Sequence, residues 1–219
     1  ADRDAMAAAV GRLGRAANGA EAALLFYAGH AAEFGGRNLL LPISVIRPRN
    51  GTELARQAIA YDELQAAVAG RAETTLVLLD SCRDNPFAGL PVASDSPPRP
   101  SRTAAPDGAR SVGSGLASVV SPSGMLIAFA TAPGEVAFDG GGSHSPFTTA
   151  LLRHIETPDI EVRDMLTRVR RSVLQATGGR QVPWDNSSLS RPFFFHLSAS
   201  AARPAGTTPR ILREAAAHG

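Results

Sequence analysis

Apolar and polar positions alternate along this chain in two distinct rhythms. Three short runs, residues 22–29 (AALLFYAG), 74–79 (TTLVLL) and 125–131 (MLIAFAT), are almost continuously apolar. Runs of that length bounded by turn residues predict buried strands. Around them the spacing changes to that of a helix. Residues 3–17 place Met6, Val10 and Leu13 on one face, with Asn18-Gly19 as a stop, and residues 59–68 predict a helix that starts near Tyr61-Asp62 and ends at Gly70. Ser145 is a good N-cap with Pro146 at the first helical position, opening a helix over 147–155. Val162, Met165, Leu166, Val169 and Val173 form one apolar stripe, with Arg163, Arg168, Arg170 and Arg171 off it and Gly178-Gly179 as its end. A short apolar run at 39–43 contains Pro42, and residues 193–197 (FFFHL) predict a final strand. Strand, helix, strand in this order predicts a parallel sheet with helices on its faces.

Between residues 88 and 115 the pattern is lost. Pro97, Pro98, Pro100 and Pro106, with serines, glycines and Arg99, Arg102 and Arg110, predict a flexible insertion. A structureless stretch this long inside a domain is functional or disordered as a rule.

Composition narrows the function classes. The chain has 219 residues, 44% hydrophobic and 19% charged, enough for one domain with a real core. Its single cysteine excludes an internal disulfide framework and cysteine-built metal clusters. No apolar run is long enough to span a membrane, and the first residues, ADRDAMAAAVGRL, lack the apolar core of a signal peptide. A cytoplasmic location is therefore expected. The 22 basic residues are all Arg, the net charge is only +2, and no basic run is interleaved with aromatics, which argues against nucleic-acid binding.

The lone cysteine, Cys82, stands where the second apolar run ends, in the sequence DSCRD, and the first run closes in the same way on His30. A histidine about 50 residues upstream of the cysteine is the caspase spacing. A thiolate is the nucleophilic form of cysteine, and a neighbouring imidazole lowers the thiol pKa. Both residues fall at carboxyl ends of predicted parallel strands, the edge where open α/β sheets place their sites. The alternative for Cys82 is a small buried hydrophobe, and for His30 a satisfied core or surface histidine. His144, His154, His196 and His218 sit in a glycine loop, on predicted elements or in the tail.

The segments YAGH (27–30), LLDSCRDNP (78–86), AFATAPG (128–134), SPFTTALL (145–152) and TGGRQVPWDNSSL (177–189) resemble, in one consistent order, the caspase-like cysteine peptidases of bacteria, relatives of metacaspases and orthocaspases. The resemblance implies a caspase-hemoglobinase fold: a three-layer α/β/α sandwich around a mostly parallel sheet of about six strands. It implies a large-subunit-like region at 1–87, an intersubunit linker at 88–115, a small-subunit-like region at 116–197, and a tail or linker to a further domain at 198–219. His30 matches the family's general acid/base and Cys82 its nucleophile, with the backbone N–H groups of Ala31 and Cys82 as oxyanion donors. Where animal caspases use Gln and Arg to bind an acidic residue, this chain has Asp80 and, in the loop ATAPGEVAFD, Asp139. Two carboxylates in a pocket favour Arg or Lys in the substrate, and with such a preference Arg99, Arg102 and Arg110 become candidates for self-processing; the alternatives are a strand-end acid bonded to nearby N–H groups for Asp80 and an ordinary Asp-Gly turn residue for Asp139.

Two departures from the family pattern stand beside this. Ala31 follows the histidine where relatives have Gly, and the chain begins after the place of the family's first strand. They motivate an alternative, a catalytically impaired caspase-like scaffold that binds protein partners through the same cleft. A flavodoxin-like small-molecule binder is weaker still, because no phosphate-type glycine loop follows the first strand. The dyad requires no cofactor and no metal; calcium, which activates some metacaspases, is not readable from the scattered acids. The expected partner is a protein or peptide substrate.

Overall fold

The computed structural model describes residues 1–82, 87, 112–113, 119–133, 135, 137–138 and 140–198, with backbone alone at Cys82, Val112 and Gly113. Within these residues the chain forms a three-layer α/β/α sandwich. Its sheet is built from β1 (Ala22–Phe34), β2 (Arg37–Leu40), β3 (Ile59–Ala60), β4 (Thr74–Cys82), β6 (Met125–Phe129) and β7 (Trp184–Ser187), in the order β3-β2-β1-β4-β6-β7, with the two-residue β5 (Val112–Gly113) also pairing with β1. The centre, β1, β4 and β6, is parallel; β2, β3, β5 and β7 add to it in antiparallel fashion.

Alternation along the three parallel strands explains the two outer layers. Leu76, Leu78, Leu126 and Ala128 pack with Phe147, Leu151, Met165, Val169 and Val173 of α4 (Pro146–His154) and α5 (Val162–Ala176). Val77, Leu79, Ile127 and Phe129 meet Leu13, Tyr61, Leu64 and Val68 of α1 (Arg3–Ala16) and α3 (Tyr61–Val68) on the other face. A strand buried on both faces must be apolar at every position, which is why β4 and β6 lack a polar alternate over Leu76 to Leu79 and Met125 to Phe129; β1 is instead partly open from Leu24 to His30, with Phe26 44% exposed. A third, smaller cluster, with Leu39, Leu54 and Ala60, seats α2 (Gly51–Gln57), which Asn50 caps by accepting a hydrogen bond from Glu53 N at 2.8 Å.

The predicted helices form where expected. Asp2 caps α1, and its Met6, Val10 and Leu13 face the core. Ser145 accepts from Thr148 N at 3.0 Å as the cap of α4, with Pro146 in its first turn. Every residue of the apolar stripe predicted for α5 is buried.

Three differences have physical reasons. The strand that reaches His30 continues to Phe34, because β2 returns as a hairpin through Gly35 and Gly36, both at positive φ, and pairs with residues 31–34. The predicted insertion contains β5, held by Glu33 and Phe34 of β1. Residues 193–197 form no strand. Phe194 makes a single bridge to Glu161, while Phe193 and Phe195 meet edge to face at 5.1 Å and pack against the α4/α5 core. The strand that completes the sheet is the polar WDNS of β7, tied to α5 by an ion pair between Arg170 and Asp185 and by Arg170 Nε donating to Pro183 O at 2.8 Å.

α1 crosses α3 at Gly14, where a Cβ would lie 2.4 Å from the backbone oxygen of Ala67. Alanine's better helix propensity, worth about 1 kcal/mol, is outweighed because backbone cannot yield as a side chain can. Gly14→Ala is expected to destabilise the fold by about 1–3 kcal/mol, read as a lower urea midpoint with an unchanged slope.

Candidate active site

The β1/β4 ladder runs in parallel from Ala22↔Thr74 to His30↔Cys82. The imidazole-bearing residue and the only cysteine of the chain are thus direct neighbours across adjacent strands, which lie about 4.8 Å apart. His30 is exposed and lines a cavity of about 780 Å³ between the sheet and α4, together with Asp80, His144, Ser145, Thr148 and Phe26. His144, a minor candidate from sequence, therefore joins His30 at this cavity.

Asp80 is 8% exposed and sits beneath the N-terminus of α4. Its Oδ2 accepts hydrogen bonds from Ser145 Oγ at 2.5 Å and from Thr148 Oγ1. No basic side chain among the described residues forms an ion pair with it. The positive end of the helix dipole and two hydroxyl donors offset the cost of burying a carboxylate. Oδ1 makes no hydrogen bond to a described residue.

Ala31 follows His30 in β1, is buried, and pairs with Leu40 of β2. Leu41 N donates to His30 O at 2.9 Å, so the backbone groups of His30 face the β2 edge. By strand alternation the N–H of Ala31 faces the opposite edge, that of β4. Tyr27 adds a second donor: its hydroxyl donates to His30 O at 2.6 Å and is shared with Leu41 O at 3.0 Å. Burial pushes the Tyr27 phenol far above its usual pKa, against a smaller opposing effect of the Leu41 hydrogen bond, so the group stays a donor.

The loop that follows β6 is anchored by Gln181, which is fully buried. Its Nε2 donates to Ala130 O at 2.9 Å and its Oε1 accepts from Phe138 N at 3.1 Å. Arg180 lies over the Phe138 ring at 4.8 Å. Asp139, in that loop, and Arg99, Arg102 and Arg110 lie outside the described residues. Among the described residues no group of three or more His, Cys, Asp or Glu is placed to hold a metal ion, and no helix is long and apolar enough to cross a membrane.

The structure thus brings together His30, Asp80, the Ala31 backbone and the backbone of Cys82. Tyr27, Ser145 and Thr148 complete these groups, and no sequence pattern marks Tyr27 as a partner of His30. The signal for the last two lay in the capping pattern itself, since a helix N-terminus aimed at a strand end calls for an acid there.

A family model for the peptidase C14 caspase domain matches residues 1–194. The chain belongs to the caspase-domain family. That family consists of cysteine peptidases, hydrolases that act on protein substrates. Caspase-1 from Spodoptera frugiperda is similar at 18% identity and a TM-score of 0.41, over 82% of this chain and 63% of that one. The structure of pro-sf-caspase-1 is similar at 16% identity and a TM-score of 0.50, over 87% of this chain and 72% of that one. The chain therefore spans somewhat less than two thirds of the first of these structures, and the second supports the same fold. No match was found among curated proteins.

Within this caspase domain the Asp80 contacts make a measurable unit. Thr148→Val removes one hydroxyl donor to a charged acceptor and is expected to cost about 1.5–3 kcal/mol. Ser145→Ala removes the other donor together with the helix cap. In a double-mutant cycle with Asp80→Ala, either change is expected to cost less in the variant background than alone, as read by urea unfolding.

Proposed function

We propose that this caspase domain is a cysteine endopeptidase of the metacaspase-like kind that cleaves after Arg or Lys, with Cys82 as nucleophile and His30 as general acid/base. The observation that carries the reading is the pairing of His30 with Cys82 across the two central strands, beside a cavity that holds a carboxylate. In this mechanism the Cys82 thiolate attacks the scissile carbonyl and the carbonyl π pair moves onto oxygen. The tetrahedral adduct collapses as His30 gives a proton to the departing amine. Water, deprotonated by His30, then attacks the thioester and releases the acid and the thiol.

The N–H groups of Ala31 and Cys82 take the developing oxyanion. Both lie at the end of the β1/β4 ladder, so this role requires the last rung to open towards the substrate. A substrate cation is drawn to Asp80, whose Oδ1 makes no hydrogen bond to a described residue, while the apolar wall near Phe26 suits the methylene stem of Arg or Lys. Asp139 supplies the second carboxylate in this reading. The regions before and after the linker at 88–115 act as large and small parts of one catalytic unit, and Arg99, Arg102 and Arg110 are its self-processing sites.

The second reading, a protein-binding scaffold with an idle site, is favoured by one observation. Ala31 is buried and paired with Leu40, in a position where a Cβ restricts the backbone that aims the oxyanion donor.

A peptide-library cleavage profile, run with and without calcium, tests both readings. The wild type is expected to cut after Arg or Lys. Cys82→Ala is expected to abolish cutting, and Asp80→Asn to reduce preference for a cation over a neutral residue about tenfold or more. Cleavage after uncharged residues, unaffected by Asp80→Asn, removes the specificity claim. Absence of cleavage, with thiol labelling no faster than that of free cysteine and independent of His30, favours the scaffold.

Self-processing has a separate readout in intact mass. Freshly purified wild type is expected to show fragments ending at Arg99, Arg102 or Arg110, and Cys82→Ala a single intact chain. Identical single masses for both end that part of the proposal.

A further inference from the structure

We infer that Tyr27 is a positioning residue: by gripping the carbonyl of His30 it aims the N–H of Ala31 at the oxyanion. This deepens the proposed function and rests on it. His30 O and Ala31 N–H belong to one peptide unit, which is planar and, as throughout the described chain, trans. The two groups therefore point in opposite directions, and fixing one fixes the other.

Two donors hold that carbonyl. Leu41 N reaches it at 2.9 Å from the β2 side, and the Tyr27 hydroxyl at 2.6 Å. The tyrosine gets there by crossing Gly29. A Cβ on residue 29 would lie 2.8 Å from the Tyr27 oxygen and 3.0 Å from Cζ of its ring. The glycine is thus the opening through which the ring passes, and Tyr27, Gly29 and His30 act as one device. It sits at the junction where β1, which before His30 pairs only with β4 among the described residues, begins to pair with β2 as well.

The device also bears on Ala31. Where a glycine would leave the peptide free to rotate, an alanine with a clamped preceding carbonyl holds its N–H in one direction. The gain is preorganisation: with its carbonyl clamped the peptide already points its N–H to the β4 edge, so only the last rung, on the Cys82 side, has to open for that N–H to meet the substrate oxygen.

Tyr27→Phe keeps the ring and removes the grip. The clamp acts on the oxyanion donor and leaves the thiolate and imidazole in place, so two reactions of Cys82 separate it from a general packing role. Alkylation by iodoacetamide breaks a carbon–iodine bond as sulfur attaches to the methylene, and no carbonyl oxygen gains charge. Its rate and pH profile are expected to be the same in Tyr27→Phe and wild type. Hydrolysis of an Arg peptide passes through an oxyanion, and its kcat is expected to fall about tenfold or more with KM unchanged. Gly29→Ala, which displaces the ring from the other side, is expected to show the same split.

A Tyr27→Phe enzyme with wild-type kcat overturns the inference. So does a parallel fall in alkylation and hydrolysis, which marks a structural role, with thermal unfolding of both variants reporting any loss of fold. A wild type that alkylates at the rate of free cysteine and hydrolyses nothing overturns the proposed function itself, and the inference with it.

Discussion

The parallel register between β1 and β4 is the constraint that every feature of the site inherits. The two runs start level, at Ala22↔Thr74, and advance rung by rung, so His30 and Cys82 arrive side by side. Side chains alternate in a strand, and a slip of one residue would move each of them to the other face. Such a slip would carry Leu76 and Leu78 away from α4 and α5 and put Val77 and Leu79 in their place. The apolar content of both faces permits either arrangement. Asp80 favours the observed one, because its donors among the described residues, Ser145 and Thr148, belong to α4 and its cap.

Asp80 shows how the scaffold keeps a charge near the cavity without neutralising it. A buried carboxylate facing a guanidinium is satisfied, but its charge is then of little use to a ligand. Among the described residues its partners are two hydroxyls and a helix N-terminus, which donate to it without bringing a full opposite charge. The same serine both caps α4 and holds Asp80, so helix formation and the polarity of the cavity depend on one side chain.

The sequence was most legible where burial is one-sided or complete. The α5 stripe, the α1 face and the two runs that became β4 and β6 each follow a period set by solvent exclusion and appear where expected, while the first run forms a longer strand, β1, that is partly open. The sequence misled where composition and pairing part company. The aromatic run at 193–197 has strand-forming residues but joins no strand among the described residues, whereas WDNS, with Trp184 its one strand-forming residue, pairs along the edge of β6. In the site, His30, Asp80 and Cys82 carry recognisable chemistry at strand ends. The grip of Tyr27 on His30 O across Gly29, and the hold of Ser145 and Thr148 on Asp80, depend on contacts between elements, which spacing along one chain does not encode. The loop anchor Gln181 belongs with them, as its partners lie on two distant segments.

The pairing of β4 with β6 joins halves of the chain that are separated in sequence by everything between Cys82 and Met125. Leu76 to Leu79 and Leu126 to Phe129 are nearly inaccessible to solvent, and each layer of helix, α1 and α3 from the first half and α4 and α5 from the second, packs on strands of both halves. A break in the covalent backbone between them would leave this interior seam intact. The two pieces would migrate apart in detergent yet travel as one body in native buffer, so continuity of the polypeptide and continuity of the domain are separate properties of this molecule.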